Sequence, residues 1–101
     1  MARDVPLAER RLKETEAVFA ALAHATRRQI LLTIWYRGGK VPAGVIAQRF
    51  AHSWPTISRH LRVLEEAGLV EHRKEGRARF YQVNMPMLER ANEWLAWFKR
   101  R

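Results

Sequence analysis

The stretch from Ser53 to Gly68 restricts this chain more than any other. It reads Ser-Trp-Pro-Thr-Ile-Ser-Arg-His-Leu-Arg-Val-Leu-Glu-Glu-Ala-Gly and carries the signals for both ends of one helix. Ser53 stands where a side-chain oxygen accepts a backbone N–H of the first turn. Pro55 fits that turn, because its missing N–H would have no helical partner there. Gly68 stands where a left-handed closing residue is wanted. Ile57, Leu61 and Leu64 recur at i, i+4 and i+7 and form an apolar stripe. Pro55, Ser58, Arg59 and Arg62 form the opposite face, which offers hydroxyl and guanidinium groups and no acid. Such a helix is anchored on one side and presents the other to something anionic. An ordinary amphipathic helix with a solvated basic face has the same pattern, so the remainder of the chain has to decide.

Charge distribution is the first arbiter. The 101 residues carry a net charge of +9. Arg3, Arg10, Arg11 and Lys13 are matched near the N-terminus by Asp4, Glu9, Glu14 and Glu16. From Ala17 to Leu64 there is no acid at all, whereas Arg27, Arg28, Arg37, Lys40, Arg49, Arg59 and Arg62 are present. Positive charge concentrated in this way favours nucleic acid, through counterion release from phosphates. An anionic membrane surface would demand a basic amphipathic helix with a large exposed apolar face.

The length suits one domain, spanning residues 1–101, with one modest core. At 48% hydrophobic residues the chain is expected to fold. No apolar run approaches the roughly 20 residues of a membrane span, and the N-terminal residues lack the apolar core of a secretion signal. Absence of cysteine removes disulfides, thiolate metal sites and thiol switches together. The cytoplasm is the expected location.

Periodicity predicts a first helix over residues 7–23, with Leu12, Thr15, Phe19 and Leu22 at helical spacing. A second helix opens at Ala25 or Thr26 and runs to Tyr36, with Ile30, Leu31, Ile34 and Trp35 inward and Gly38-Gly39 as its stop. Val41-Pro42 is extended, because a residue before proline avoids the helical region. A third helix over residues 43–50 buries Val45, Ile46 and Phe50, and Ala51-His52 leads into the capped helix, residues 53–67. Short helix, turn, capped helix with a polar face is a helix-turn-helix pattern.

Beyond Gly68 the period falls from 3.6 to 2, which predicts a β-hairpin over residues 69–83 turning at Glu75-Gly76. Arg73, Lys74, Arg77 and Arg79 gather near its tip. So many cations on a thin ribbon repel one another unless phosphates lie there. Asn84 is the expected cap of a last helix over residues 86–99. That helix carries two apolar stripes, one of Leu88, Ala91, Leu95 and Phe98 and one of Met87, Ala91, Trp94 and Phe98, with Trp97 widening the arc. Leu7, Val18 and Leu22 add spare apolar surface on the first helix. An arc this wide exceeds what one small core covers. A two-fold dimer built from the terminal helices is the expectation, with Leu7, Val18, Leu22, Met87, Ala91, Trp94, Trp97 and Phe98 at its interface.

The order α-α-α-α-β-β-α, mainly helical with one small hairpin, resembles the bacterial ArsR/SmtB family of winged helix-turn-helix repressors. Phe19-Ala-Ala-Leu-Ala-His-Ala-Thr-Arg-Arg-Gln-Ile-Leu-Leu32 looks like the family's second-helix signature. Pro55 through Val70 is similar to its recognition helix and wing entry, and Arg73-Lys-Glu-Gly-Arg77 through Phe80-Tyr81 is similar to its wing. The likeness covers roughly residues 15–84. It implies a homodimer that represses transcription from an inverted-repeat DNA operator. It also implies that Pro55, Thr56, Ser58 and Arg59 face the major groove while the wing basics reach neighbouring phosphates. With Ser53 at the cap and Arg62 on the same face, the expected DNA-binding set is Ser53, Pro55, Thr56, Ser58, Arg59, Arg62, Arg73, Lys74, Arg77 and Arg79.

Two departures from the family pattern stand out. Trp54 replaces a small or amide residue; it either stacks on a sugar edge or braces the preceding helix. Family metal sensors use a cysteine pair before the reading helix or Asp/His/Glu sets on the last helix, and this chain has neither. His24, His52, His60 and His72 lack the i, i+3 or i, i+4 pairing that clamps a metal from one helix. No metal or cofactor is therefore expected, a histidine site shared across two chains stays open, and the effector is unknown. His60 is expected to pack or to touch backbone phosphate. The rival reading is a protein–protein module of the same fold that docks a larger regulator through Trp94 and Trp97. An enzyme finds no support: there is no Gly-rich phosphate loop and no nucleophile with a base and an orienting group.

Overall fold

The computed structural model describes residues 6–100. Along the chain, α1 (Leu7–Leu22) and α2 (Ala25–Tyr36) lead into a two-residue strand β1 (Val41–Pro42). Then come α3 (Ala43–Gln48), α4 (Trp54–Glu66), β2 (Val70–Glu75), β3 (Ala78–Val83) and α5 (Met85–Ala96), which ends in a single 3-10 turn, Trp97–Lys99. This is a winged helix-turn-helix, mostly helical, with a three-stranded antiparallel sheet in the order β1-β3-β2.

β1 adds a strand to the expected hairpin, formed by the extended Val41-Pro42. Val41 pairs with Tyr81 and Pro42 with Phe80, so the segment before α3 becomes the third strand. Proline is tolerated there because β1 is an edge strand and needs no N–H on its outer side. Register between β2 and β3 runs from Val70 opposite Val83 to Glu75 opposite Ala78, leaving Gly76-Arg77 as a two-residue loop. Gly76, at φ 62°, takes the first central position, which a type II′ turn reserves for glycine.

The core lies where α1, α2, α3 and α4 close over the sheet. It contains Ile30, Leu31 and Ile34 from α2, Ile46 from α3, Ile57, Leu61 and Leu64 from α4, and Val41, Leu69, Val70 and Tyr81 from the strands and their approaches. On α1 the buried residues are Val18 and Ala21, and Leu12 is 70% exposed. Small side chains let α1 approach its neighbours closely, which leaves the bulkier row of Leu12 and Phe19 to one side. Trp35 is 53% exposed rather than inward. On α2 the core is satisfied by Ile30, Leu31 and Ile34, and Trp35 lies outside that arc.

Packing also corrects the list of spare interface residues. Val18 and Ala91 are already buried within the single chain, so they are not free for a second copy. Leu22, Met87 and Leu88 pack partly against the core. Leu7, Trp94, Leu95, Trp97 and Phe98 remain exposed. Phe19 meets Trp94 edge-on at 5.5 Å and Trp94 meets Phe98 at 5.1 Å, which makes one continuous aromatic ridge along α1 and α5. Arg90 pairs with Glu14 at 3.1 Å and ties the same two helices together. No helix among the described residues is long and apolar enough to cross a membrane.

Candidate nucleic-acid interface

α4 is bounded at both ends by backbone hydrogen bonds. At its C-terminus, Leu69 N–H donates to Leu64 C=O at 2.9 Å and Gly68 N–H to Glu65 C=O at 2.9 Å. This double closure needs a left-handed residue, and Gly68 supplies it at φ 78°. At its N-terminus Ser53 is the capping position, but its side chain makes no bond to a helix N–H. The Ser53 hydroxyl lies 3.1 Å from the Thr56 hydroxyl instead, and the Ser53 carbonyl accepts from Thr56 and Ile57 N–H. The first-turn hydroxyls and N–H dipoles are thus left at an open, acid-free helix end, an arrangement that favours anions. Asn84 likewise caps α5 through its carbonyl and not its side chain.

The buried stripe of Ile57, Leu61 and Leu64 orients the outer face. Pro55, Arg59 and Arg62 are exposed, and Thr56 and Ser58 are half-buried beside them. The hairpin then brings further cations alongside. One groove between α4 and the sheet is lined by Ser58, Arg62, Glu65, Glu66, His72, Arg79 and Tyr81. A second is lined by Pro42, Ala43, Gly44, Trp54, Ser58, Arg77 and Arg79. Ser58 and Arg79 therefore border both grooves, and Arg77 joins them near the N-terminal half of α4. Trp54, half exposed, shares its groove with the start of α3 as well as with these polar groups.

The four wing basics do not act as one cluster. His72 pairs with Tyr81 and Lys74 with Arg79 across the ladder, and alternation places these on the face toward α4. Arg73, opposite Phe80, points to the other face and lines a groove with Lys40, Glu71 and Gln82. There Lys40 sits 5.1 Å above the Phe80 ring and also pairs with Glu75. Lys74 and Arg79 are like charges set directly opposite each other, an arrangement that costs stability in a free hairpin and that an intervening phosphate would relieve. Glu65 accepts from or pairs with His72 Nδ1 at 2.8 Å, which fastens the C-terminal half of α4 to β2.

Two arginines of the acid-free segment serve the fold. Arg27 donates from Nε to Ala21 C=O at 2.7 Å and from Nη2 to Ala20 C=O at 3.2 Å. Arg28 donates to Leu22 C=O at 2.7 Å. Both thereby satisfy carbonyls at the C-terminus of α1, where a cation is favoured. Sequence reasoning missed this role; the legible signal was a pair of arginines one short turn beyond a predicted helix end. Arg27 Nη1 also lies 3.4 Å from His60 Nδ1, and the His24 and His52 rings stand 5.2 and 6.4 Å from the His60 ring. Burial, followed by the charges of Arg27, His24, His52 and Arg59, holds His60 below its ordinary value of 6.5. His60 is half-buried and packs against Arg27 and the His24 ring. Among the described residues no group of three or more His, Cys, Asp or Glu is arranged to hold a metal ion.

Known proteins share this fold. Residues 22–73 match the model of a helix-turn-helix domain family. The chain is 36% identical to the transcriptional repressor SdpR of Bacillus subtilis over 77% of its own length and 84% of that protein's. It is 31% identical to an arsenical resistance operon repressor of Staphylococcus aureus, over 76% and 72% of the two chains. Among solved structures, an ArsR family transcriptional regulator superposes with a TM-score of 0.78 at 26% identity, covering 100% of this chain and 99% of the other. The homodimeric winged helix-turn-helix DNA-binding domain of a Mycobacterium bovis protein superposes with a TM-score of 0.74 at 26% identity, over 98% and 91%. Fold, signature segments and relatives agree, and the chain belongs to the ArsR/SmtB family of winged helix-turn-helix transcriptional repressors.

Proposed function

We propose that the protein is a single-domain, cytoplasmic repressor that binds an inverted-repeat operator as a homodimer. Two copies pair through the ridge of Leu7, Trp94, Trp97 and Phe98, with Leu22 and Met87 at its margin. Pairing sets two α4 helices into successive major grooves about one helical turn (~34 Å) apart. Arg59 reads a guanine edge in a bidentate fork and Ser58 hydrogen-bonds a neighbouring base edge. Ser53, Pro55 and Thr56 approach the strand at the N-terminus of α4. Arg62, Lys74, Arg77 and Arg79 hold phosphates on either side. Arg73 makes no phosphate contact, because it faces the other side of the wing.

The observation that carries this reading is the convergence of Ser58, Arg62, Arg77 and Arg79 on the two grooves beside α4, whose first turn carries no acid. Selection of bound fragments from random duplex DNA tests it. A recovered motif with two-fold symmetry and half-sites one turn apart is the expected result. A protein that stays monomeric in light scattering and ignores every duplex at low salt would sink it, and would favour a docking module that uses Trp94 and Trp97.

A further inference from the structure

α2 carries an apolar surface that neither DNA reading nor pairing through α1 and α5 uses. Leu32, Trp35 and Tyr36 are all exposed, Tyr36 by 81%. Gln29, Leu32, Thr33 and Tyr36 follow one another at i, i+3, i+4 and i+7 and line a shallow groove completed by Arg37 and Arg49. Trp35, 53% exposed, does not line the groove but stands three residues from Leu32 on the same helix, one turn along its exposed side. Thr33 donates its hydroxyl to Gln29 C=O at 2.8 Å, which satisfies that hydroxyl within the helix. No residue of α1, α4, α5 or the hairpin lines this groove.

Its rim is entirely cationic. Arg37 closes the C-terminus of α2 and Arg49 that of α3. Neither is in an ion pair among the described residues, where the pairs are Lys40–Glu75, His72–Glu65 and Arg90–Glu14. No carboxylate occurs anywhere from Ala17 to Leu64 to neutralise them. Tryptophan, tyrosine and arginine are the side chains that dominate binding energy when they are brought together on a surface. A duplex would meet the two guanidinium groups with phosphate but would press Leu32 and Trp35 against charged backbone, a mismatch that costs desolvation. A protein segment with apolar anchors and acidic flanks meets both parts of the surface.

We propose that the α2 face of Leu32, Trp35 and Tyr36, rimmed by Arg37 and Arg49, is a docking site for an acidic amphipathic segment of a partner protein. Such a segment seats its apolar side chains in the groove and its carboxylates on the arginines, as helix-in-groove recognition does. The site is independent of the DNA reading, and a regulator bound to its operator would still present it.

The test uses the full chain and a fluorescent synthetic peptide with Leu or Phe at i, i+3, i+4 and i+7 and Asp or Glu between them. A scrambled peptide of the same composition is the control. Anisotropy is expected to show binding of the patterned peptide that falls about tenfold or more in Arg37→Glu/Arg49→Glu and in Leu32→Ala/Trp35→Ala. Binding is expected to stay unchanged in Arg59→Ala/Arg77→Ala. Alanine keeps α2 helical, and circular dichroism confirms that each variant folds. Equal binding of the scrambled peptide, or a loss that follows Arg59 and Arg77, would overturn the proposal, because the peptide would then be acting as a polyanion on the reading face. Sedimentation showing that Leu32→Ala/Trp35→Ala shifts self-association would overturn it in favour of a second copy. A duplex affinity that drops with Arg37→Glu/Arg49→Glu as steeply as with Arg59→Ala/Arg77→Ala would assign the face to nucleic acid instead.

Discussion

Arg79→Ala and Arg73→Ala separate the two faces of the wing. Both residues lie within the same short hairpin and both are exposed, but Arg79 borders the two grooves beside α4 while Arg73 lines the groove behind the sheet. In a dimer each substitution acts twice. Removing one phosphate contact per protomer lowers the slope of log K against log salt by about 1.8, at about 0.9 per contact. Over a fourfold rise in salt, the Arg79→Ala protein should therefore lose about 12-fold less affinity than the parent. Arg73→Ala should leave the slope unchanged. The assay is fluorescence anisotropy with one labelled duplex, titrated at several salt concentrations. Arg79→Ala should also leave the free protein as stable as the parent or slightly more so, because Lys74 loses a like charge directly opposite. Equal flattening by the two substitutions would refute the assignment of faces, and an unchanged slope with Arg79→Ala would remove the wing from the contact surface.

Four further outcomes follow from the same geometry. Arg59→Ala should cost roughly 1–3 kcal/mol on the preferred duplex and relax the preference at one base pair; equal losses on specific and random DNA would make Arg59 a phosphate contact only. Leu64→Ala empties a site that is 0% exposed in the core and should destabilise by about 2–5 kcal/mol in urea titration. Gly68→Ala sets a Cβ 3.1 Å from Met87 Cε at a backbone φ of 78°. The left-handed conformation alone costs a non-glycine residue roughly 1–2 kcal/mol, which chemical denaturation can read. His60 is held below 6.5 when folded, so between those two values the unfolded chain binds a proton that the folded one does not. Stability should thus be full above that window and decline as pH falls through it. Thermal melts from pH 8 to 5 should show a shallower decline for His60→Asn than for the parent.

Much of the fold was legible because its signals are local. Gly68 and Pro55 marked α4, Gly38-Gly39 ended α2, and the change of period after Gly68 announced the hairpin. The buried stripe of Ile57, Leu61 and Leu64 follows from helical spacing alone, and so does the polar face opposite it. The family resemblance rested on the same segments. Local signals also misled where two partners competed for one group. Ser53 had a hydroxyl free to cap, but Thr56 stands within its reach and takes it.

What the tertiary structure alone decided is which of several equivalent choices each element makes. On α1 only the shape of its neighbours buries Val18 and Ala21 and leaves Leu12 exposed. The strand character of Val41-Pro42 depends on a β3 forty residues away, which no local window contains. The wing cations divide into two faces because ladder register, a pairing between strands, sets which of them meets α4. Residue identity and spacing determine which elements form and where they stop. Partners distant in sequence determine which side of each element is buried, since burial is a property of the assembled surfaces and not of the chain.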